Sequence, residues 1–212
     1  MKAAQIKPCD ICNLSTIPIR MPLNPLRLIS ELILKKERNI LEKSLAMLDI
    51  SKCPIDPVNT HRLLPWYYKK NVNDVFLNIY LNKEYKIKQI TKMQNLTTSI
   101  QTLGYKPKQF PTRQNGFITG YFLKHREEKR FYIMSGNHRA AILSALFPRK
   151  KIPIAFNKLE FLKAKEIKDS IFEENRSHPN VFDSKDVLKW PAVSSGYTTR
   201  EKAIKIFETY FK

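Results

Sequence analysis

Apolar residues recur along positions 90–103 at the spacing of an amphipathic helix. Four of them follow one another at intervals of three, four and three positions: Met93, Leu96, Ile100 and Leu103. That spacing places them on one helical face. Gly104 comes next, and glycine commonly ends a helix in the left-handed conformation. The pattern predicts a helix over 90–103 that stops at Gly104.

A strand hairpin and a second helix are predicted after this helix. The residue pattern favours two antiparallel strands, 117–123 and 130–134, joined by a charged turn over 125–129. The second strand runs directly into Ser135 and Gly136, and the apolar residues that follow predict a helix over 137–146. Residues 152–156 then return as a short strand. The order is therefore strand, tight turn, helix and strand.

The flanking sequences predict further elements. Asn24 followed by Pro25 is typical of a helix start, and helical spacing continues to about residue 47. This predicts one long helix over 25–47. Residues 48–55 favour a short strand, whereas 72–81 fit either a helix or a strand. Near the end of the chain, the run from Thr198 to Glu201 resembles a capping box and predicts a last helix.

These elements together indicate an α+β protein with a small mixed sheet and flanking helices. We expect three parts: an N-terminal extension with the long helix over 1–47, a core over 48–156, and a C-terminal helical extension over 157–212 that packs on the core. At 212 residues the chain has the length of one ordinary domain or a core with additions. A hydrophobic content of 42% is enough for a packed interior.

The chemistry-bearing residues gather at the turn between the second predicted strand and its helix. Gly136 lets the backbone approach a ligand closely, and the first amide groups of the helix favour an anion. His138 and Arg139 add side-chain donors, and Asn137 adds an uncharged polar group. On the preceding helix, a polar stripe lies beside the apolar face and consists of Lys92, Asn95 and Ser99. The stripe could face either solvent or a ligand.

Charge and cysteine content limit the function classes. The net charge is +19, from 38 basic and 19 acidic residues, which favours anionic partners such as nucleic acid or phosphorylated molecules, although a solvated lysine-rich surface is an equal reading. With no apolar run of membrane-spanning length and no secretory signal, we expect a soluble cytoplasmic protein with no membrane partner. An odd number of cysteines fits a reducing compartment. A zinc site from Cys9, Cys12, Cys53 and His61 lacks a second paired motif, so no metal site is assigned.

Residues 90–156 resemble the ParB/sulfiredoxin superfamily. The similarity lies in a helix that ends in SIQTLGYKPKQFP, a strand hairpin, the stretch FYIMSGNHRAAILSAL and a strand KIPIAF. The turn of sulfiredoxin is similar to the one here, and ParB proteins have a related turn. The resemblance implies a nucleotide site at the polar stripe and the turn, formed by these residues: Lys92, Asn95, Ser99, Ser135, Gly136, Asn137, His138 and Arg139.

One departure from that family changes the implied activity. Sulfiredoxin requires a cysteine where this chain has Asn137, which is not a nucleophile, so sulfinic acid reduction is not expected. The free serine kinase branch keeps a similar turn without the cysteine. The resemblance to that branch implies a phosphotransferase that uses ATP or ADP, with CTP as a third candidate, and Mg²⁺, and that acts on a small hydroxyl-bearing substrate. His138 and Arg139 are the expected catalytic residues.

The sequence leaves two points undecided, the catalytic base and a competing function. The catalytic base is unassigned, since the only acids near the comparable segment are Asp49 and Asp56 and no motif supports either. The competing function is a ParB-like DNA-binding protein or nucleotide-gated clamp, which the basic charge favours. Against it, residues 157–212 contain no clear helix-turn-helix motif.

Overall fold

The fold is built on one mixed sheet. The computed structural model describes residues 3–8, 11–13, 17–19, 24–47, 83–107, 109, 116–156, 181–194 and 198–210. Within these residues, the sheet has seven strands: β1 (Ala3–Ile6), β2 (Ile11–Asn13), β3 (Ile17–Pro18), β4 (Ile118–His125), β5 (Glu128–Ser135), β6 (Ile152–Phe156) and β7 (Val181–Asp183). Their order is β1-β6-β4-β5-β2-β3, and β7 also pairs with β4.

The sheet is mixed because the hairpin at its centre has parallel neighbours. β4 and β5 are antiparallel, whereas β6 and β7 pair in parallel with β4, and β2 pairs in parallel with β5. The outer strands β1 and β3 are antiparallel to β6 and β2. The predicted α+β class with a mixed sheet and flanking helices is confirmed.

Two layers cover the two faces of the sheet. The α-helices of the described residues include α1 (Pro25–Leu34), α2 (Ile40–Met47), α3 (Lys83–Leu103), α4 (Asn137–Leu146) and α5 (Arg200–Tyr210). Helices α1 to α4 share one core cluster with Ile118, Phe131 and Ile133. The opposite face packs on α5 and on the 3-10 helix Ser184–Lys189 through residues such as Tyr121, with the fully buried Trp190.

The predicted elements of the central region are confirmed. Helix α4 and strand β6 have the predicted bounds, and the hairpin strands differ by one or two residues at their ends. Helix α3 ends at Leu103 as predicted but begins at Lys83, and Gly104 has the expected positive φ of 77°. The last helix, α5, begins at Arg200. The expectations for residues 48–55 and 72–81 lie outside the described residues.

The single helix predicted over 25–47 is wrong. The chain forms α1 and α2, separated by residues Lys36 and Asn39 with positive φ values of 55° and 56°. Residues 35–39 read Lys-Lys-Glu-Arg-Asn. Because none of the five is apolar, this stretch has nothing to bury, and asparagine tolerates the left-handed conformation better than most residues. The described N-terminal residues also supply β1, β2 and β3, which the sequence pattern did not indicate.

Polar contacts connect the C-terminal layer to the tip of the β4–β5 hairpin. The His125 ring lies between two partners: Nδ1 is 2.7 Å from Ser184 Oγ and Nε2 is 3.1 Å from Glu208 Oε1. Arg126 Nη2 also lies 3.2 Å from Glu208 Oε1. None of the described helices is long and apolar enough to cross a membrane.

Candidate functional site

The glycine turn, residues 136–139, forms the uncapped start of α4. Gly136 is the N-cap residue with φ 98° and ψ 24°, and no side chain caps the helix there. The Gly136 carbonyl accepts the first helical hydrogen bond, from Ala140 N at 2.9 Å. The amides of the first three helical residues therefore have no carbonyl partner within the helix. Together with the helix dipole, they form a site for an anion.

Close packing beneath this turn requires glycine. A Cβ atom at position 136 would lie 3.1 Å from Ile118 Cα, 3.2 Å from Ile118 Cγ1 and 3.1 Å from Arg139 Nη2. These contacts are tighter than ordinary van der Waals separations, and the positive φ is itself unfavourable for other residues. The turn is therefore pressed onto the first residue of β4 and onto the guanidinium of Arg139.

A pocket of about 640 Å³ opens between the glycine turn and α3. Its described lining residues are Lys92, Asn95, Leu96, Ser99, Met134, Ser135, Gly136, Asn137, His138 and Arg139. All eight residues expected from the sequence are thus brought to one pocket, and the polar stripe faces the turn across it. The volume lies within the usual range for small-molecule sites.

Two apolar lining residues were not expected. Leu96 was placed on the apolar face of α3, and Met134 was assigned only to a strand, yet both border the pocket. Leu96 is half-buried, as expected for a residue at the boundary between the two faces of the helix. The position of Met134 near the end of β5, two residues before Gly136, is the signal that could have identified it.

The ionisable side chains among the described lining residues of the pocket are all basic. Lys92, His138 and Arg139 can each carry a positive charge, and none of the described lining residues is an aspartate or a glutamate. The helix start adds its partial positive charge at the same place. The described part of the pocket is therefore suited to a negatively charged ligand.

His138 is neutral at physiological pH in the ligand-free protein. Burial lowers its pKa from 6.5 to about 4, with further contributions from the positive charges of Arg139 and Lys92. A neutral imidazole can accept a proton, whereas the protonated lysine and arginine cannot. His138 therefore differs in chemical capacity from its two basic neighbours.

Arg139 is largely buried below the turn. Its side chain is only 4% exposed, and Nη2 donates to the carbonyl of Phe117 at 3.4 Å. Burial lowers the pKa of Arg139, while nearby Tyr105 acts in the opposite direction. The sequence indicated a phosphate-clamping side chain, but the structure gives this guanidinium a supporting contact with the backbone as well.

Asn137 contributes a buried acceptor to the pocket. Its Oδ1 atom is inaccessible to solvent and has no hydrogen-bond partner within the described part of the chain. An unsatisfied buried polar atom typically costs about 1 to 3 kcal/mol. Because solvent does not reach Oδ1, a ligand could donate a hydrogen bond to it only after the Asn137 side chain turns toward the pocket.

Among the described residues, this site has neither a cluster of metal ligands nor a carboxylate base. The described residues contain no group of three or more histidine, cysteine, aspartate or glutamate side chains that could hold a metal ion. The described lining therefore does not fit Mg²⁺ as a directly protein-bound ion. Asp49, Asp56 and the zinc candidates Cys9, Cys53 and His61 lie outside the described residues.

Comparisons with known proteins identify no relative. No protein-family model, curated protein or solved structure matches this chain. Only the residues of the pocket themselves indicate its chemistry.

Because His138 is neutral in the folded protein, the free energy of unfolding depends on pH. Between pH 6.5 and 4 the unfolded chain binds a proton at His138 and the folded protein does not, so stability falls as the pH falls through this window. We expect protonation of His138 in the unfolded chain to lower the free energy of unfolding by about 3 kcal/mol over this window, since one pKa unit corresponds to about 1.36 kcal/mol. Urea unfolding of wild type and His138→Asn from pH 8 to 4 measures it.

The difference between the two unfolding curves isolates His138 from the other titrating groups. The curves should run parallel above pH 7, and the wild type should lose more stability below pH 6.5. Parallel curves over the whole range would contradict the low pKa.

Proposed function

We propose that this protein is a nucleotide-dependent phosphotransferase that transfers a phosphoryl group to a small hydroxyl-bearing substrate. The observation that carries the proposal is the pocket between α3 and the glycine turn, where an uncapped helix start meets three basic side chains and no described acidic one. Phosphoryl transfer depends mainly on positioning and on stabilising negative charge. These are the properties that such a pocket supplies.

The proposed role of each residue follows from its position in the pocket. The amides at the start of α4 hold phosphate oxygens, and Lys92 neutralises charge from the opposite wall. Asn95 and Ser99, on the same face of α3, hydrogen-bond the remainder of the nucleotide. ATP and ADP are the proposed donors, with CTP as a third candidate. Mg²⁺ would accompany the phosphates and supply positive charge beside them.

Asn137 supports a hydroxyl group as the second ligand. The buried Oδ1 atom can only accept a hydrogen bond, and an ionised phosphate has no proton to donate. Asn137 is the first residue of the helix whose amides hold the phosphates, so an alcohol that reaches Oδ1 once the Asn137 side chain turns toward the pocket would lie beside them. An alcohol next to the phosphate to be transferred satisfies both conditions.

The proposed reaction uses His138 as the proton acceptor. The alcohol oxygen forms a bond to phosphorus, the bond from phosphorus to the leaving oxygen breaks, and that oxygen keeps the electron pair. The hydroxyl proton passes to the neutral ring of His138, whose low pKa keeps it unprotonated at neutral pH. The charge on the transferred phosphate then stabilises the imidazolium.

Membership in the ParB/sulfiredoxin superfamily is part of the proposal. The order of elements from α3 to β6, which is helix, hairpin, glycine turn, helix and strand, supports it. Asn137 in place of a thiol supports the phosphotransferase branch rather than sulfinic acid reduction.

A ParB-like DNA-binding function is the second candidate, and the net charge of +19 favours it. Counterion release would then make DNA affinity fall steeply with salt. Charge spread over a surface does not account for a pocket that contains an unsatisfied buried acceptor. The phosphotransferase uses the anion site formed by the helix start and the basic side chains, and so we favour it.

Nucleotide titrations of Lys92→Gln test the proposal. Binding of ATP, ADP and CTP is measured by calorimetry with Mg²⁺ present, and Lys92→Gln should weaken it by about threefold to tenfold. The matched control is Lys88→Gln, which removes the same charge from an exposed position of α3 outside the described pocket lining. The control should bind within about twofold of wild type.

Transfer itself is measured with a labelled donor and a panel of amino alcohols, including free serine, and polyols. We expect labelled phosphate on at least one member of the panel, and its loss in His138→Asn. A wild-type protein that binds none of the three nucleotides but binds duplex DNA tightly, with a steep salt dependence, would overturn the phosphotransferase and leave the DNA-binding candidate.

A further inference from the structure

Residues 116–118, which lead into β4, connect the two walls of the pocket. Ile118 lies directly beneath the glycine turn, as the close approach at Gly136 shows. On one side this segment is bonded to Arg139 of the turn. On the other side it is bonded to Tyr105, which follows the last residue of α3 and its glycine cap.

Tyr105 makes both of its contacts through one hydroxyl group. The oxygen accepts a hydrogen bond from Ile118 N at 2.9 Å, and the hydroxyl donates to the carbonyl of Gly116 at 3.5 Å. Between these two residues, the carbonyl of Phe117 accepts from Arg139 Nη2 at 3.4 Å. Tyr105, just after α3, thus holds the backbone groups of Gly116 and Ile118. Arg139, at the start of α4, holds the Phe117 carbonyl between them.

The tyrosine and the arginine also interact electrostatically. Burial raises the pKa of Tyr105 to about 12, while the hydrogen bond from Ile118 and the charge of Arg139 act in the opposite direction. The phenol therefore stays neutral, with its proton available for Gly116. Tyr105 is not among the described lining residues of the pocket.

We infer that Tyr105 is a positioning residue that sets the distance between the polar stripe of α3 and the glycine turn, by holding the segment on which Arg139 and Gly136 rest. The ligand-binding part of this inference rests on the proposed function. In this arrangement, the buried guanidinium of Arg139 supports the turn from below. The helix amides and Lys92 then present their donors to the ligand, and His138 presents its neutral ring, without rearrangement.

The alternative is that Tyr105 only adds stability, and the two readings differ in what happens to His138. The groups that face His138 and lower its pKa are Arg139 and Lys92, one from each wall. If Tyr105 positions these walls, its loss lets Arg139 move and water enter, and both effects raise the pKa of His138. If Tyr105 is only a stabilising residue, a protein that remains folded keeps the pKa of His138 unchanged.

Tyr105→Phe is the decisive variant because it removes only the hydroxyl oxygen. The pKa of His138 is read from its ring proton signals by nuclear magnetic resonance in the ligand-free protein, assigned by comparison with His138→Asn. We expect the pKa to rise from about 4 toward its ordinary value. The control is Tyr85→Phe, which removes the same group from the other end of α3 and should leave His138 unchanged.

Nucleotide affinity is the second measurement, made at a temperature where every variant is fully folded. Tyr105→Phe should weaken binding by about threefold to tenfold, since the Ile118 amide loses its partner. An unchanged His138 pKa overturns the inference, whatever the affinity does. A raised pKa in a protein that binds no nucleotide upholds the positioning role and overturns the phosphotransferase, so the two failures are distinguishable.

Discussion

Replacing Gly136 with alanine is expected to lower the free energy of unfolding by about 2 to 4 kcal/mol and to remove nucleotide binding. Two costs add at this position. The backbone has φ 98°, which side-chain-bearing residues rarely adopt, and the new Cβ atom would press on Ile118 and Arg139 at 3.1 Å. Relief of this contact requires the turn to move away from β4, which misdirects the helix amides. Denaturant unfolding and nucleotide titration measure the two effects.

Gly104→Ala is the matched control for this substitution. Gly104 also has a positive φ, 77°, but nothing lies within 4 Å of the position where its Cβ would be. Gly104→Ala should therefore lower the free energy of unfolding only through backbone strain, by about 1 to 2 kcal/mol, and leave the pocket intact. Equal loss of stability in both variants, or normal nucleotide binding by Gly136→Ala, would show that the tight packing beneath the turn is not required.

Replacing Arg139 with alanine is expected to weaken nucleotide binding by about tenfold to a hundredfold. The substitution removes a positive charge from the pocket and leaves the Phe117 carbonyl without this donor. Arg139→Lys should recover only part of the affinity, because an ammonium group lacks the planar geometry of the guanidinium. Binding of unrelated duplex DNA should barely change. Calorimetric titration with nucleotide and a salt series with DNA measure both.

Arg126→Ala provides the control for charge alone. Arg126 lies at the hairpin tip with its side chain 78% exposed, so its removal changes the net charge by the same amount without touching the pocket. It should leave nucleotide affinity unchanged. The proposed function would be contradicted if Arg139→Ala and Arg126→Ala weakened DNA binding alike while neither affected nucleotide binding.

Several features of the site were predictable from local sequence because they depend on neighbours along the chain. Helical spacing places Lys92, Asn95 and Ser99 on one face of α3 whatever the rest of the protein does. A glycine between a strand and a helix indicates an exposed helix start in the same way. The prediction for the long N-terminal helix was wrong because apolar spacing on both sides of 35–39 continues across a stretch that has nothing to bury.

The tertiary structure decided the chemical state of the residues at the turn. The sequence Asn-His-Arg presents the same three side chains in any fold, but their burial and their neighbours arise from contacts between distant segments. Arg139 contacts Phe117, and the pKa of His138 depends in part on Lys92 of another helix. Strands β1 and β2 are likewise defined by pairing with β6 and β5, and β3 is defined by pairing with β2.

By itself, the sequence determined the α+β class, the bounds of α4 and β6, and which residues form the polar stripe and the glycine turn. Periodicity and backbone preference act over a few residues, and these features need nothing more. The family resemblance already implied that the stripe and the turn share one pocket. Only the folded chain decided that His138 is neutral and that Arg139 and Tyr105 meet at residues 116–118. Desolvation and long-range hydrogen bonds arise only when separate elements come together, and no local pattern records which elements will meet.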